Sequence, residues 1–527
     1  MLFKLDSFTL IGIDAVKVSV EVHISRGLPE FIIVGLPGKA VNESRQRVRS
    51  AIINSGFDFP VKKIIVNLSP ADIKKDGSYY DLPIALSVLA ASGQIRCGIF
   101  RESCFIGELS LDGSINPVKG LISMAEKAGG IGKKFFFVPY EIANQASFIS
   151  GMSIVACKSL VDTVKVLTGR GKIEEFICKD KDKNISNISN NYNLDFKDVK
   201  GQLKAKRALE IAVSGRHNIM LIGPPGSGKT MLAQRAVSVM PDLNTEECIE
   251  VTKIYSLHEK YVNHLIQKRP FRNPHHTISR VGLIGGGINP KPGEISLAHK
   301  GLLFLDEFSQ FPKNFIEDLR QPLENKKVVI TRNHLSCGFP CNFMLIVATN
   351  PCYCGYFGDE SRKCICSLRE IRKFWKKMSG PIMDRIDMRV TVARLKESSF
   401  IKTECGESSD EIKNRIKKCI NMQNERFEGK SVSYNSEIGI NIINKWLKNN
   451  KNIRDLIYTI SRRYNLTARG TVSILKVSRT IADLEESEDI KDCHIIEAVH
   501  YRVGSNNMDG TAVDSNCKTA YNCYSNS

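Results

Sequence analysis

The sequence predicts an α/β chain built from three units: a compact α/β domain, a parallel-sheet domain carrying a phosphate-binding loop, and a C-terminal helical unit. Three observations lead there. Val16, Val18, Val20 and Val22 stand on every second position, as a half-buried strand requires. Three near-continuous apolar stretches, 217–222, 301–305 and 343–349, suit strands of a parallel sheet covered on both faces. Beyond about Lys396 the apolar residues move to helical spacing, as in Ile474, Val477, Ile481 and Leu484. A length of 527 residues accommodates roughly three domains, each large enough to bury its own core.

Taken in order, the first unit spans residues 1–170, with further short strands at 31–34, 64–66 and 135–138. DLPIALSVLAA (81–91) reads as a helix that Gly93 ends. Residues 171–193 turn polar, repeat Lys, Asp, Asn and Ser, and lose periodicity, which marks a linker. The parallel-sheet domain then covers 194–395 and the helical unit 396–503. The polar residues 504–527 read as a disordered tail.

Composition narrows the class. The chain is 42% hydrophobic and 25% charged, which excludes a wholly disordered or collagen-like protein. With 75 Lys and Arg against 56 Asp and Glu, the net charge of +19 favours a polyanionic partner such as nucleic acid, an ordinary Lys-rich surface being the competing explanation. No apolar run approaches the roughly 18 residues of a membrane span, and Lys4, Asp6 and Asp14 interrupt the place of a signal-peptide core, so a cytoplasmic protein without a membrane partner is expected. Most of the 16 cysteines are scattered through apolar segments and are expected as reduced thiols.

Directly after the stretch 217–222 comes GPPGSGKT, placing Gly223, Pro224, Pro225, Gly226, Ser227, Gly228, Lys229 and Thr230 at phosphate-loop spacing. Glycines let backbone N–H groups turn inward around phosphates, and the following helix presents its positive end. Lys229 is expected to reach the β- and γ-phosphates of ATP, and the Thr230 hydroxyl to bind Mg²⁺. After its own apolar strand, GLLFLDE supplies Asp306 to hold Mg²⁺ through water and Glu307 to polarise the attacking water. The next strand ends at Asn350, an amide at the same sheet edge that can position water. Arg385 in SGPIMDRID and Arg469 in LTARG complete the candidate site, because a guanidinium near the γ-phosphate stabilises transition-state charge. Taken singly, either arginine is more often a structural ion-pair member.

These residues resemble AAA+ ATPases, specifically the magnesium-chelatase-like YifB/ComM family. The likeness covers residues 1 to 503 and rests on RPFRNPHHTIS (269–279), LIGGGINPKPGEISLAHKGLLFLDE (283–307), NPCYCGYFGD (350–359), SGPIMDRID (379–387) and RTIADLE (479–485). It implies that residues 223–230 are Walker A, Asp306 and Glu307 Walker B, and Asn350 sensor 1. Arg385 resembles an arginine finger acting in trans, and Arg469 the sensor 2 residue acting from a helical lid. A hexameric ring with ATP at each subunit boundary is implied. So is DNA movement, through the association of the ComM type with branch migration during natural transformation. A hairpin facing the ring's channel is implied at 324–342, with Lys326, Lys327, Arg332 and His334 as candidate DNA contacts.

The first unit resembles the Lon protease domain through KKDGSYYDLPIAL (74–86) and GELSLDGSINPVKGLISMAEKAG (107–129). Lon-like proteolysis needs a Ser nucleophile activated by a Lys. Counted from the KDG landmark, the nucleophile position falls on Tyr79 and the lysine position near Ile122, so the dyad is expected to be absent. Ser78 and Lys119 lie close in register and keep a peptidase alternative open.

Cys352, Cys354, Cys364 and Cys366 form two CxC pairs separated by nine residues, a sulfur set able to enclose one tetrahedral Zn²⁺. Reduced loop cysteines or a redox-sensitive pair are the alternatives. Behind them, residues 362–377 carry seven Lys and Arg against one Glu, with Phe374 and Trp375 interleaved, a pattern suited to nucleic acid or to a solvated helix face. His275 and His276 are adjacent and lack nearby cysteines, so a structural or coupling role is expected rather than a metal. The functional expectation is a DNA-moving ATPase ring. Its rival is a magnesium-chelatase-like ATPase that remodels a protein or inserts a metal.

Overall fold

The computed structural model describes residues 2–178, 194–258, 265–287, 290–332, 335–378, 380–394, 406–430 and 432–503. The expected disordered tail, His334 and residues 179–193 of the expected linker lie outside them.

The first unit opens with Leu2–Ile11, paired antiparallel with Asp14–Ser25 along its whole length. Lys63–Ser69 and Glu30–Val34 extend this to a four-stranded sheet. Val18, Val20 and Val22 are fully buried, the alternation expected when side chains leave a strand on opposite faces. All residues of the helix Asp81–Ala91 are buried, which is why its sequence is apolar on every side. A three-stranded parallel sheet, Ser103–Phe105, Phe135–Pro139 and Ser153–Cys157, completes the unit. Its order extends past Gly171, where composition suggests a linker. Ile173–Phe176 is helical, and the Cys178 N–H donates to the Ile154 carbonyl at 2.8 Å, because Ile173 and Phe176 still have an apolar wall to pack on.

The second unit is a five-stranded, all-parallel sheet in the spatial order Phe271–Arg272, Leu302–Leu305, Met344–Thr349, Ile219–Ile222, Met388–Thr391. The middle three are buried along their entire lengths, each large apolar side chain contributing about 1.5–3 kcal/mol. Parallel register sets Ile222 beside Thr349 and Leu305 beside Val347, so the residues that follow these strands emerge together at one edge.

Helices Ser409–Phe427, Ile440–Asn449, Lys451–Arg463, Ala468–Leu484 and Asp492–Val503 form the third unit. Ile474, Val477 and Ile481 are buried in a core shared with the sheet domain. Polar ties cross the same junction: His217 Nε2 lies 2.8 Å from Thr480 Oγ1, and Ser473 donates to Asp387. No helix among the described residues is long and apolar enough to cross a membrane.

The first and second units also touch. Ile122, near the position where a Lon-like lysine is expected, is fully buried against Cys248 and Leu265. Ser78 donates its hydroxyl to Glu108. Gly12, at the turn between the first two strands, lies so close to Cys337 that a Cβ there would fall 2.8 Å from the cysteine's.

Candidate active site at the carboxyl edge of the parallel sheet

The phosphate loop leaves the strand Ile219–Ile222 and enters the helix Lys229–Val239. Gly226 and Gly228 adopt φ of 76° and 88°, left-handed values that glycine reaches without the steric cost of a Cβ. Lys229 is mostly buried, and its ammonium donates to the carbonyls of Gly223 at 2.8 Å and Pro224 at 2.9 Å, and to Asn350 Oδ1 at 3.4 Å. Burial pulls its pKa down, while Asp306 and Glu307 oppose that shift. Three donors and three acceptors thus hold the loop closed around a charge that a phosphate can claim.

The Thr230 hydroxyl donates to Asp306 Oδ2 at 2.6 Å, and the Glu307 N–H donates to Asp306 Oδ1 at 2.9 Å. Asp306 is thereby aimed at the hydroxyl expected to share Mg²⁺ with it. Glu307 has φ of 48°, an uncommon value for a residue with a side chain, which turns its carboxylate into the site. That side chain remains 56% exposed, with His276 Nδ1 at 3.6 Å.

These groups line a cavity of about 710 Å³, within the size range of small-molecule sites. Of the residues expected at the nucleotide, Pro225, Gly226, Ser227, Gly228, Lys229, Thr230, Asp306, Glu307 and Asn350 face it, while Gly223 and Pro224 do not line it and instead accept from Lys229. Asn273, Pro274, His275 and His276 face it too. Sequence reasoning assigned the histidines no place at the phosphates. The strand that delivers them, Phe271–Arg272, is two residues long and leaves no periodic signal, so the polar NPHH run after RPFR is the available sign.

Three segments of the chain match family descriptions: residues 195–400 match "Magnesium chelatase, subunit ChlI", 20–142 match "Subunit ChlI of Mg-chelatase", and 406–502 match its C-terminal part. The competence protein ComM of Haemophilus influenzae is 39% identical over 494 residues, covering 93% of this chain and 95% of that protein. The chain belongs to the YifB/ComM family of magnesium-chelatase-like AAA+ ATPases. The YifB protein of Escherichia coli is 38% identical over 505 residues, and the Mb2921c protein of Mycobacterium bovis 34% over 476, with coverages of 93% and 95%, and 90% and 93%, respectively. ATP hydrolysis is the chemistry of this AAA+ architecture, and the cavity brings together the phosphate loop, Asp306, Glu307 and Asn350.

In this YifB/ComM member the two arginines lie apart from the phosphate cavity. Arg385 Nη2 sits 2.6 Å from Glu324 Oε1, and Arg469 pairs with the same oxygen. Both line a second cavity of about 180 Å³. The reason is strand direction. Arg385 precedes the strand Met388–Thr391 and its carbonyl accepts from Asn218, which precedes Ile219–Ile222, so it belongs to the amino edge of a sheet whose carboxyl edge carries the phosphate loop.

The four-cysteine cluster forms as the spacing predicts. The Sγ atoms of Cys352, Cys354, Cys364 and Cys366 all lie within 4.8 Å of one another, a donor set that suits a soft, tetrahedral cation. The helix Leu368–Lys377 behind it separates its aromatic from its basic residues. Phe374 is buried and the Trp375 indole donates to the Pro351 carbonyl at 3.1 Å, so the aromatics pack inward while all seven basic residues between 362 and 377 are exposed.

The expected hairpin is present as Lys327–Arg332 paired with Leu335–Pro340. Lys326 is not part of it: this residue caps the helix Arg320–Asn325 and is paired with Glu437, whereas Lys327 is exposed.

Proposed function

We propose that this chain is an ATPase that assembles into a hexameric cytoplasmic ring and uses hydrolysis at subunit boundaries to move DNA. Lys229, Thr230 and Asp306 hold Mg²⁺ and ATP, Glu307 polarises the attacking water, and Asn350 orients it. Arg385 and Arg469 act on the triphosphate of a neighbouring subunit. The observation that carries this reading is the separation of the two half-sites: the phosphate cavity stands at one edge of the sheet, and both guanidinium groups stand together at the other, on Glu324. A single copy cannot join them, but a head-to-tail ring can.

DNA as the client is favoured by the +19 charge, by the seven exposed basic residues between 362 and 377, by the hairpin bearing Lys327 and Arg332, and by the resemblance to the ComM type. The three matches to magnesium chelatase subunit ChlI favour the second reading, an ATPase that remodels a protein or assists metal insertion. Measuring ATP turnover with single-stranded, duplex and branched DNA over a salt series decides between them. The DNA reading predicts stimulation that falls steeply with salt, and indifference to every DNA supports the second reading.

The first unit, residues 1–170, is read as a Lon-protease-like scaffold without the catalytic dyad. The engagement of Ser78 with Glu108 and the burial of Ile122 support this. Zn²⁺ is the ion proposed for Cys352, Cys354, Cys364 and Cys366.

A further inference from the structure

We propose that a zinc ion held by Cys352, Cys354, Cys364 and Cys366 braces the phosphate loop, so that nucleotide affinity depends on whether the metal is bound. The inference rests on the zinc reading of the cluster and adds a function for it.

The sulfur geometry suits zinc. A tetrahedron with Zn–S bonds of about 2.3 Å has edges of about 3.8 Å. The separations Cys352–Cys354, Cys352–Cys364 and Cys354–Cys364 are 3.3, 3.7 and 3.4 Å, so a small outward shift brings these three to that spacing. Backbone N–H groups already point at the sulfurs: that of Cys354 donates to Cys366 Sγ and that of Cys366 to Cys364 Sγ, each at 3.4 Å. Such contacts orient ligands and stabilise thiolate charge.

The segment also needs a brace. Between Pro351 and Ser367 the buried side chains are few, while Tyr353 is half-exposed and Ile365 is 87% exposed. A turn of chain with so little apolar interior draws its order from covalent or metal cross-links. Its two ends are fixed independently of the sulfurs. Pro351 accepts from the Trp375 indole, and Ser367 and Glu370 form a reciprocal cap at the start of the helix Leu368–Lys377.

What lies between these anchors rests on the ATP site. Gly355 has φ of 85° and stands so close to the ring of Pro225 in the phosphate loop that a side chain there would have no room. A Cβ on Gly355 would stand 2.8 Å from Pro225 Cδ and 3.9 Å from Asn350 Cγ. Asn350 in turn accepts from Lys229. The knuckle therefore stands against the loop that cradles phosphate and near the amide that neighbours its lysine. With the ion in place, the Gly355 turn is held against Pro225. Without it, that support is lost while both anchors remain.

The test uses the full chain purified with zinc under reducing conditions. Metal content is measured by mass spectrometry, and the affinity for a fluorescent ATP analogue is measured before stripping, after stripping with a thiol-directed mercurial and chelator, and after zinc is restored. Gly355→Val keeps all four cysteines but intrudes on Pro225, and circular dichroism reports the fold of each sample. We expect one zinc per chain, nucleotide binding weakened roughly tenfold or more on stripping and recovered on reloading, and a comparable loss in Gly355→Val with zinc retained. A chain that binds no zinc overturns both the metal reading and the inference. Zinc that binds, but whose removal leaves affinity within about twofold, overturns the inference alone. If stripping unfolds the chain, Gly355→Val decides: unaltered affinity in a folded, zinc-loaded variant overturns the brace.

Discussion

Glu307→Gln separates binding from chemistry, and the structure sets the size of each effect. The phosphate cradle is made by the loop backbone, Lys229, Thr230 and Asp306; none of them hydrogen-bonds the Glu307 carboxylate, whose charge acts on Lys229 only through space. Glutamine keeps the shape of the side chain and the left-handed backbone that positions it. Because the side chain is 56% exposed and stands 3.6 Å from His276, the exchange is expected to change stability by no more than about 0.5 kcal/mol. Loss of the group proposed to polarise water is different: general-base contributions of about 10²–10⁴ correspond to roughly 2.7–5.5 kcal/mol in the barrier. The prediction is a kcat lowered by about two to four orders of magnitude, with nucleotide affinity and melting temperature unchanged. Phosphate release measured at saturating ATP, beside binding of a fluorescent analogue, reads both quantities. Turnover within about threefold of the parent would remove Glu307 from the chemistry.

Other consequences concern charges away from the water. Glu324→Gln removes the anion that draws Arg385 and Arg469 together, so turnover should fall roughly tenfold or more while nucleotide affinity stays within about twofold; an unchanged kcat refutes a positioning role. Glu250 is held down to about 2, first by its hydrogen bond from His299, against an ordinary 4.5. A depressed folded pKa gives stability that is complete above the unfolded value and lost as pH falls through the folded one. The melting-temperature gap between the parent and Glu250→Gln should therefore be flat above about pH 5 and close between about 4.5 and 2. Ile122→Lys places a lysine near the expected Lon-like lysine position but puts its charge in an apolar seam with Cys248 and Leu265. It should destabilise the chain by about 3 kcal/mol or more in denaturant titrations, without creating peptidase activity on unfolded casein.

Much of the fold was legible where a local pattern coincides with one environment. The strand at Val16–Val22 alternates because one face is buried, and the three central strands are apolar throughout because both faces are. The phosphate loop was legible because its glycines and lysine are demanded by local backbone geometry. Leu2–Ile11 was not, since its buried run includes Asp6, Ser7 and Thr9; Asp6 is matched by Lys17 and Lys133, which no local pattern reveals. The place of His275 and His276 depends on a two-residue strand joining the sheet edge, and that of Arg385 on the direction in which its strand runs. The inward turn of Phe374 and the pairing of Lys326 with Glu437 are set by distant packing. Properties that depend on which edge or which neighbour a residue meets are tertiary, and spacing alone does not encode them.

In the proposed ring, one copy supplies the cradle and the next supplies the guanidinium. Mixing Lys229→Ala and Arg385→Ala chains tests it most directly, by steady-state phosphate release from each variant alone and from equal mixtures. Each variant alone should be nearly inactive, and the mixture should regain activity at about a quarter of its boundaries, where an intact cradle meets an intact arginine. A mixture no more active than its parts, or an Arg385→Ala chain that hydrolyses ATP at the parental rate by itself, would contradict the shared site.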